Sequence, residues 1–461
     1  MTSSHTEELL EPELSTDLAV AEPVVEAEKP EPGKFVRWVT KGGLAIVDQG
    51  LISGSNFLIG ILLARWLVPE QYGAFALAFS VFLLLSYVYQ SFLAEPQAVF
   101  SGSAYRGSLR GYLKTLLGIH LILTCFGVVL LGGSAFVAFS MGKGTGLAGA
   151  LAGVAIASPC ILFFWLMRRS FYMNLAPARA AVGAFIYFVL VMGGLFFAYR
   201  RSLISPFSAY LMMAVGALGT GLFLLSQVNK VLPPDTAVPP TRREAWHKHW
   251  EYGRWALAVS VVTWIPYYMY YPLVGSFSGM AAAGQLRALM NLSLPMEQSY
   301  TALSILFLPY AARICREKGL SSSGPLVRRI TLLFVAGAVV YWAVLIPFKT
   351  QVFHLLYAGK YMEVAHFIPY VALGTTLWSA AFGPAILLRA IESPDSIFYA
   401  RCVASVLSLV IGVPLTKEFG IWGVVISVIL ANLSAFLISM YILHRKAHPV
   451  SLPNPVLQGE G

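Results

Sequence analysis

Charge is what this sequence has least of. Of its 461 residues only 12% are Asp, Glu, Lys or Arg, while 57% are hydrophobic; an average soluble domain carries roughly 25% charged residues. That excludes a water-soluble globule and a disordered chain alike. Cysteine is scarce too. The four cysteines, Cys125, Cys160, Cys315 and Cys402, lie in or beside apolar runs without framework spacing, so they read as reduced packing residues rather than a disulfide scaffold. A phosphate-binding loop is missing: Gly142-Lys143-Gly144-Thr145 lacks the earlier glycine and the hydroxyl directly after lysine, and reads as a tight turn. No aqueous segment is long enough for a soluble catalytic domain. An ATPase or a nucleotide-sugar glycosyltransferase is therefore excluded, and the chain reads as a non-enzyme with no cofactor.

Acid is also short, and it is unevenly placed. Nine of the 22 acidic residues, from Glu7 to Glu31, precede Lys34 and alternate with Pro and Ala, a composition that cannot bury a core. Residues 1–34 thus read as a disordered acidic cytoplasmic tail, and not as a leader, which would need a positive start and an apolar middle. The formal net charge of +10 would suggest nucleic acid in a soluble protein. In so apolar a chain it points to loops held against anionic lipid, with no nucleic-acid partner.

What the chain has in abundance is apolar runs of about 20 residues, the length that crosses a hydrocarbon core as helix. Roughly twelve are expected: 44–63, 72–93, 115–139, 146–167, 181–198, 205–228, 255–277, 284–311, 330–348, 365–388, 397–416 and 419–443. The fold class is an all-α polytopic membrane protein, its twelve helices in two six-helix lobes. A polar, Pro- and Arg-rich stretch divides them, giving an N-lobe at 35–228, a cytoplasmic linker at 229–253, a C-lobe at 254–445 and a cytoplasmic tail at 446–461. Positive loops stay on the cytoplasmic side. The groups Arg106, Arg110, Lys114; Arg168, Arg169, Arg179; Arg242, Arg243, Lys248; and Arg313, Arg316, Lys318, Arg328, Arg329 all fall on one side if both termini are cytoplasmic. A faint internal echo accompanies the halves: Tyr72-Gly73-Ala74 at the opening of the second span matches Ala283-Gly284-Gln285 at the opening of the eighth, with Gly73 over Gly284.

Function should lie where polar groups enter the spans, since each charge at mid-bilayer costs about 2.5 to 3.5 kcal/mol on insertion scales. In the first span Gln49, Ser53, Asn56 and Gly60 share one helical face, with Asp48 and Ser55 beside them. The eighth carries Arg287, Asn291 and Gln298 in a second stripe, with Glu297 nearby and Pro295 interrupting the ladder. Arg287 reads as a cation lining a hydrated cavity, together with Asn291, Gln298, Asn56 and Gln49. Glu297 and Asp48 read as candidate coupling groups. Arg65, Glu95, Arg389 and Arg401 read as interface anchors. Trp264, Tyr267, Tyr268, Tyr270 and Tyr271 read as an interfacial aromatic belt, and Trp246-His247-Lys248-His249-Trp250 as a headgroup-level segment. The glycosylation patterns at Asn291 and Asn432 fall inside spans and are chance matches.

The run Asp48-Gln49-Gly50-Leu51-Ile52-Ser53-Gly54-Ser55-Asn56-Phe57, continuing through Leu63-Ala64-Arg65-Trp66-Leu67-Val68-Pro69-Glu70-Gln71-Tyr72-Gly73, resembles the opening of bacterial polysaccharide-biosynthesis membrane proteins. Gly284-Gln285-Leu286-Arg287-Ala288-Leu289, with Pro295 and Leu308-Pro309 after it, is similar to their eighth span. These are lipid-linked oligosaccharide flippases of the multidrug, oligosaccharidyl-lipid and polysaccharide (MOP) exporter superfamily. The resemblance implies a transporter that moves a polyprenyl-diphosphate-linked glycan from the inner to the outer leaflet of the bacterial cytoplasmic membrane. It also implies drive by an H+ or Na+ gradient or the membrane potential, membrane lipids as surroundings, and polysaccharide polymerase and chain-length proteins as partners. By it, Arg287 would meet the diphosphate. Two alternatives remain: a drug or cation exporter of the same fold, and a membrane-embedded polysaccharide polymerase or ligase. Short outer loops and a basic cavity weigh against both.

Overall fold

The protein is described by a computed structural model covering residues 32–448 except 143. The expected tails, 1–34 and 446–461, fall largely outside the described residues. Two compact units divide the chain, Met1–Thr40 and Lys41–Gly461, and all the packing below belongs to the second.

Every described regular element is helical, as a bilayer demands: with no water to satisfy backbone groups, each span must bond its own. The first half runs α1 (Pro32–Trp66), α2 (Pro69–Tyr89), a π turn at Gln90–Ala94, α3 (Glu95–Gly102), α4 (Leu109–Ser140), α5 (Gly144–Ser170), α6 (Pro177–Arg200) and α7 (Pro206–Val231). The second runs α8 (Arg242–Tyr268), α9 (Tyr270–Phe277), α10 (Met280–Asn291), α11 (Leu294–Lys318), α12 (Gly324–Leu345), α13 (Lys349–Tyr357), α14 (Ile368–Ala380), α15 (Phe382–Ala390), α16 (Pro394–Leu407), α17 (Val413–Phe419) and α18 (Ile421–Ala447). Proline opens α2, α6 and α7, where its missing N–H has no intrahelical acceptor to lose.

Among the described residues ten helices are long and apolar enough to cross a membrane, eleven if a bent pair counts as one span. Two expected spans that carry polar residues are broken beside a proline. Span seven is α8 followed by α9, bent by 41° just beyond Pro266. Span eight is α10 and α11, parted at Leu292 and Ser293, with Pro295 in the first turn of α11. A proline there removes a donor to the preceding turn, so the ladder gives way one turn upstream. Gln298 and Glu297 therefore sit on a different helix from Arg287 and Asn291, and the single stripe expected for this span is two short ones.

Helix α5 packs on α4 and α7, and α6 on α7; in the second half α18 packs on α14 and α16, and α12 on α14 and α15. Helix α2 meets α10 along an extensive contact. There Gly73 and Gly284, the two glycines of the sequence echo, lie backbone against backbone. A Cβ on Gly73 would overlap the Met280 carbonyl, and one on Gly284 would overlap the Pro69 carbonyl and reach 3.0 Å from the Gly73 nitrogen.

The stretch between α7 and α8 is pinned. The Asp235 carboxylate accepts from the backbone N–H groups of Arg110 and Gly111, at 2.9 and 2.8 Å. These are first-turn donors of α4 that no intrahelical carbonyl can reach. In return Arg110 donates to the carbonyls of Leu232 and Asn229. The segment 246–250, expected at headgroup level, has one residue drawn inside: His249 is fully buried. Its Nδ1 lies 2.8 Å from the Phe92 carbonyl within the π turn of the second span, and its Nε2 lies 2.8 Å from the Tyr112 hydroxyl. The carbonyl can only accept, so Nδ1 carries the proton and Nε2 accepts from the tyrosine.

Candidate functional site: a cation-lined central cavity

The polar stripes of α1, α10 and α11 border one cavity of 1240 Å³, together with residues from α2, α5, α8, α16 and α18. On the α1 wall, side chains added at Gly50 or Gly54 would meet nothing within 4 Å, so that helix faces open space. The cavity reaches the ends of α2 and α5, where Gln97, Ser101 and Met173 border it. The Gly73–Gly284 contact lies toward the other end, at the starts of α2 and α10.

All seven residues singled out in the sequence border this space: Asp48, Gln49, Asn56, Arg287, Asn291, Glu297 and Gln298. Two stripes meet across it. Gln49 Nε2 donates to Ser53 Oγ at 3.4 Å, and Ser53 Oγ donates to Gln298 Oε1 at 2.9 Å. Asn291 donates from Nδ2 to the Tyr72 hydroxyl at 2.8 Å, while its buried Oδ1 has no partner in the protein. Gly60 of α1 makes room for this amide, since a Cβ there would approach Nδ2 to 3.2 Å. Glu297 accepts from Ser293 Oγ at 2.5 Å. Asp48, one turn from the expected cytoplasmic end, is 1% exposed; it accepts from the Tyr172 hydroxyl at 2.6 Å and faces Arg168 Nη1 at 3.5 Å.

Arg287 is the cation held deepest, at 9% exposure. Its guanidinium carbon lies 5.2 Å from the centre of the Phe79 ring and 5.6 Å from that of Tyr271. Its Nε has no acceptor, and among the described residues no carboxylate lies within 4 Å of it. Aromatic faces return about 0.5 to 2 kcal/mol to a cation, less than its insertion cost of about 2.5 to 3.5 kcal/mol. The phenols of Tyr271 and Tyr72 and, beyond 4 Å, the Glu297 carboxylate are among the other electrostatic neighbours of Arg287. Four arginines border the cavity, Arg168, Arg169, Arg287 and Arg401, against two acids, Asp48 and Glu297.

Two expectations are corrected here. Arg401, read as an interface anchor, borders the cavity and donates to Thr263 Oγ1 at 3.3 Å. The expected aromatic belt of span seven turns inward: Tyr267, Tyr268, Tyr270 and Tyr271 border the cavity, and Trp264 donates to the Ser80 carbonyl at 3.0 Å. Asn432, set aside as a chance glycosylation match, accepts from the Tyr267 hydroxyl at 3.1 Å and donates to the Gly374 carbonyl at 3.0 Å. Arg168, Arg169 and Tyr172 were not singled out as site residues; their one signal was position, directly after an apolar run.

No protein-family model matches the sequence, and no curated protein sequence matches it. Solved structures do. An inward-facing multidrug-resistance MATE family transporter of the MOP superfamily aligns with a TM-score of 0.71 at 15% identity, over 87% of this chain and 98% of that one. The lipid II flippase MurJ in an inward closed conformation aligns with a TM-score of 0.67 at 14% identity, over 88% of this chain and 87% of that one. A MOP superfamily transporter from Pyrococcus furiosus, described by the reverse polarity of its binding pocket, aligns at 0.62 and 14% identity, over 89% and 95%. At these identities the likeness is one of architecture, and the chain has the fold of the MOP superfamily transporters.

Proposed function

We propose that this chain is a secondary transporter which carries the diphosphate headgroup of a polyprenyl-linked oligosaccharide from the inner to the outer leaflet by alternating access. The observation that carries this reading is Arg287, a buried guanidinium between two aromatic faces with no carboxylate partner, in a cavity with more arginines than acids. A diphosphate completes such a site. A planar guanidinium bonds two of its oxygens at once, and charge-assisted bonds of this kind are the strong ones. The headgroup crosses inside the hollow while the isoprenoid tail stays in lipid. Asn291, with its unpartnered amide oxygen, and Gln298, Asn56 and Gln49 offer hydrogen bonds to sugar hydroxyls along the wall. On this reading Glu297 and Asp48 are the candidate coupling groups, and the chain sits in a bacterial cytoplasmic membrane with both termini inside.

A second reading, export of drugs or other cations, draws on the MATE likeness and on the two cavity acids. Asp48 is already engaged by Tyr172 and faces Arg168, and Glu297 already interacts with Arg287 beyond 4 Å, so neither acid is free to receive a cation. Reconstitution separates the two. Liposomes containing the purified chain should move a fluorescent polyprenyl-diphosphate N-acetylglucosamine between leaflets and leave ethidium untouched. Arg287→Ala should abolish the movement, and Arg287→Lys, which keeps the charge but loses the fork, should slow it about tenfold or more. Ethidium transport that survives both substitutions, with no lipid movement by the parent chain, would establish the exporter instead.

A further inference from the structure

The cavity holds a second unneutralised cation that the headgroup reading does not use. Arg401 is half-buried on α16 and donates from Nη1 to the Thr263 hydroxyl, which itself donates to the Val259 carbonyl at 2.8 Å. Among the described residues no carboxylate lies within 4 Å of it. Its electrostatic neighbours are the phenols of Tyr87 and Tyr267 and another cation, Arg389. Arg389 adds like charge and neutralises nothing, so an anion beside Arg401 would supply the opposite charge that the wall leaves out. By contrast Arg168 faces Asp48, and Arg169 interacts with Glu95.

The surroundings of Arg401 narrow the class of anion. Tyr267, Trp378, Asn432 and Thr263 border the cavity with it, and Tyr267 and Asn432 are bonded to each other. Aromatic faces next to amide and hydroxyl groups suit a sugar ring, whose C–H face stacks while its hydroxyls bond. The two arginines stand on different helices with different surroundings: Arg287 on α10 against Phe79 and Tyr271, Arg401 on α16 against Thr263.

We infer that Arg401, with Tyr267, Trp378, Asn432 and Thr263, forms a second anion subsite that receives an acidic sugar of the glycan while Arg287 holds the diphosphate. The inference rests on the lipid-diphosphate reading and specifies its substrate: a glycan bearing a carboxylate a short distance from the diphosphate. The test uses two probes on the full chain in nanodiscs, polyprenyl-diphosphate N-acetylglucosamine with and without an appended glucuronic acid. The parent chain should bind the acidic probe about tenfold more tightly than the neutral one. Arg401→Gln should collapse that preference, and Arg401→Lys should retain most of it. Thr263→Val, which removes only the hydroxyl that orients the guanidinium, gives a milder variant should Arg401→Gln fail to fold, and it should lower the preference in the same direction. Equal affinity of the parent chain for both probes, or a preference untouched by the variants, overturns the subsite and leaves the headgroup reading standing. Failure of the parent chain to bind either probe overturns both.

Discussion

The contact between Gly73 and Gly284 should close the cavity at the end away from Gln97 and Ser101, and replacing Gly284 with Ala should open it. An added Cβ would overlap the Pro69 carbonyl and approach the Gly73 nitrogen to 3.0 Å. Both are backbone atoms at the start of α2, and neither can swing aside as a side-chain tip can. The helices must part. Overpacking of this kind costs about 1 to 3 kcal/mol, and the cost falls only on the conformation in which α2 and α10 touch. The equilibrium should therefore shift toward the conformation open at this end by about 5- to 150-fold. A reporter cysteine at Met290, which borders the cavity, placed in a chain whose four native cysteines are replaced, would read this out with a membrane-impermeant maleimide applied from the Pro69 side. Labelling should rise with Gly284→Ala, rise again with Gly73→Ala, and fall short of additive in the double variant, because both act on one contact. Gly193→Ala on α6, where an added Cβ meets nothing within 4 Å, should change nothing. Unchanged labelling in a Gly284→Ala chain that folds normally would refute the reasoning.

Two further predictions concern stability. Tyr112→Phe leaves the buried His249 Nε2 without its donor, which should cost about 1 to 3 kcal/mol and lower the Tm in detergent by a few degrees; a Tm equal to the parent's would mean that water reaches the imidazole. Asp235→Ala exposes two first-turn donors of α4 and should cost about 0.5 to 2 kcal/mol, as loss of a helix cap does. Limited proteolysis between α7 and α8 should then accelerate, and an unaltered cleavage rate would show that Arg110 and the bonds of Gly107 and Thr115 to the segment hold it without the carboxylate.

How much of this was legible in the sequence depends on whether the signal was local. The stripe of Gln49, Ser53 and Asn56 could be read because helical periodicity places those residues on one face whatever surrounds them. The match of Gly73 with Gly284 was visible as a repeat, but the reason for it is a crossing of backbones that no single span reveals. Arg401 could not be placed. Seven residues into a helix, an arginine reads as a headgroup anchor or a cavity cation depending on which way its helix is turned, and that is set by packing against α18 and α8. The tyrosines after Pro266 were misread for the same reason: their place in the span suggested a belt, while packing of α8 on α2 and α16 turns that face inward. Asp48 met Arg168 and Tyr172 from 120 and 124 residues away, a pairing that spacing cannot show.

The distribution of these pairings carries a consequence for direction. Near the ends of α2 and α5 the arginines have acids beside them, Asp48 facing Arg168 and Glu95 interacting with Arg169. Deeper in, Arg401 and Arg287 have no carboxylate within 4 Å. An anion entering at the α5 end therefore meets cations that are partly neutralised first and unneutralised ones later, so attraction grows along the path instead of trapping the ligand at the mouth. On the function proposed above, the arrangement suits uptake from that side. Release at the opposite end then requires that the site lose its grip when α2 and α10 part. Helix α10 carries Arg287, α2 carries Phe79, and Tyr271 lies on α9. Separating α2 from α10 draws one of the two aromatic faces off the guanidinium and admits water to it. Hydration weakens the charge-assisted bonds that held the anion, so the motion that opens the far end also loosens the ligand, provided Phe79 moves with its helix.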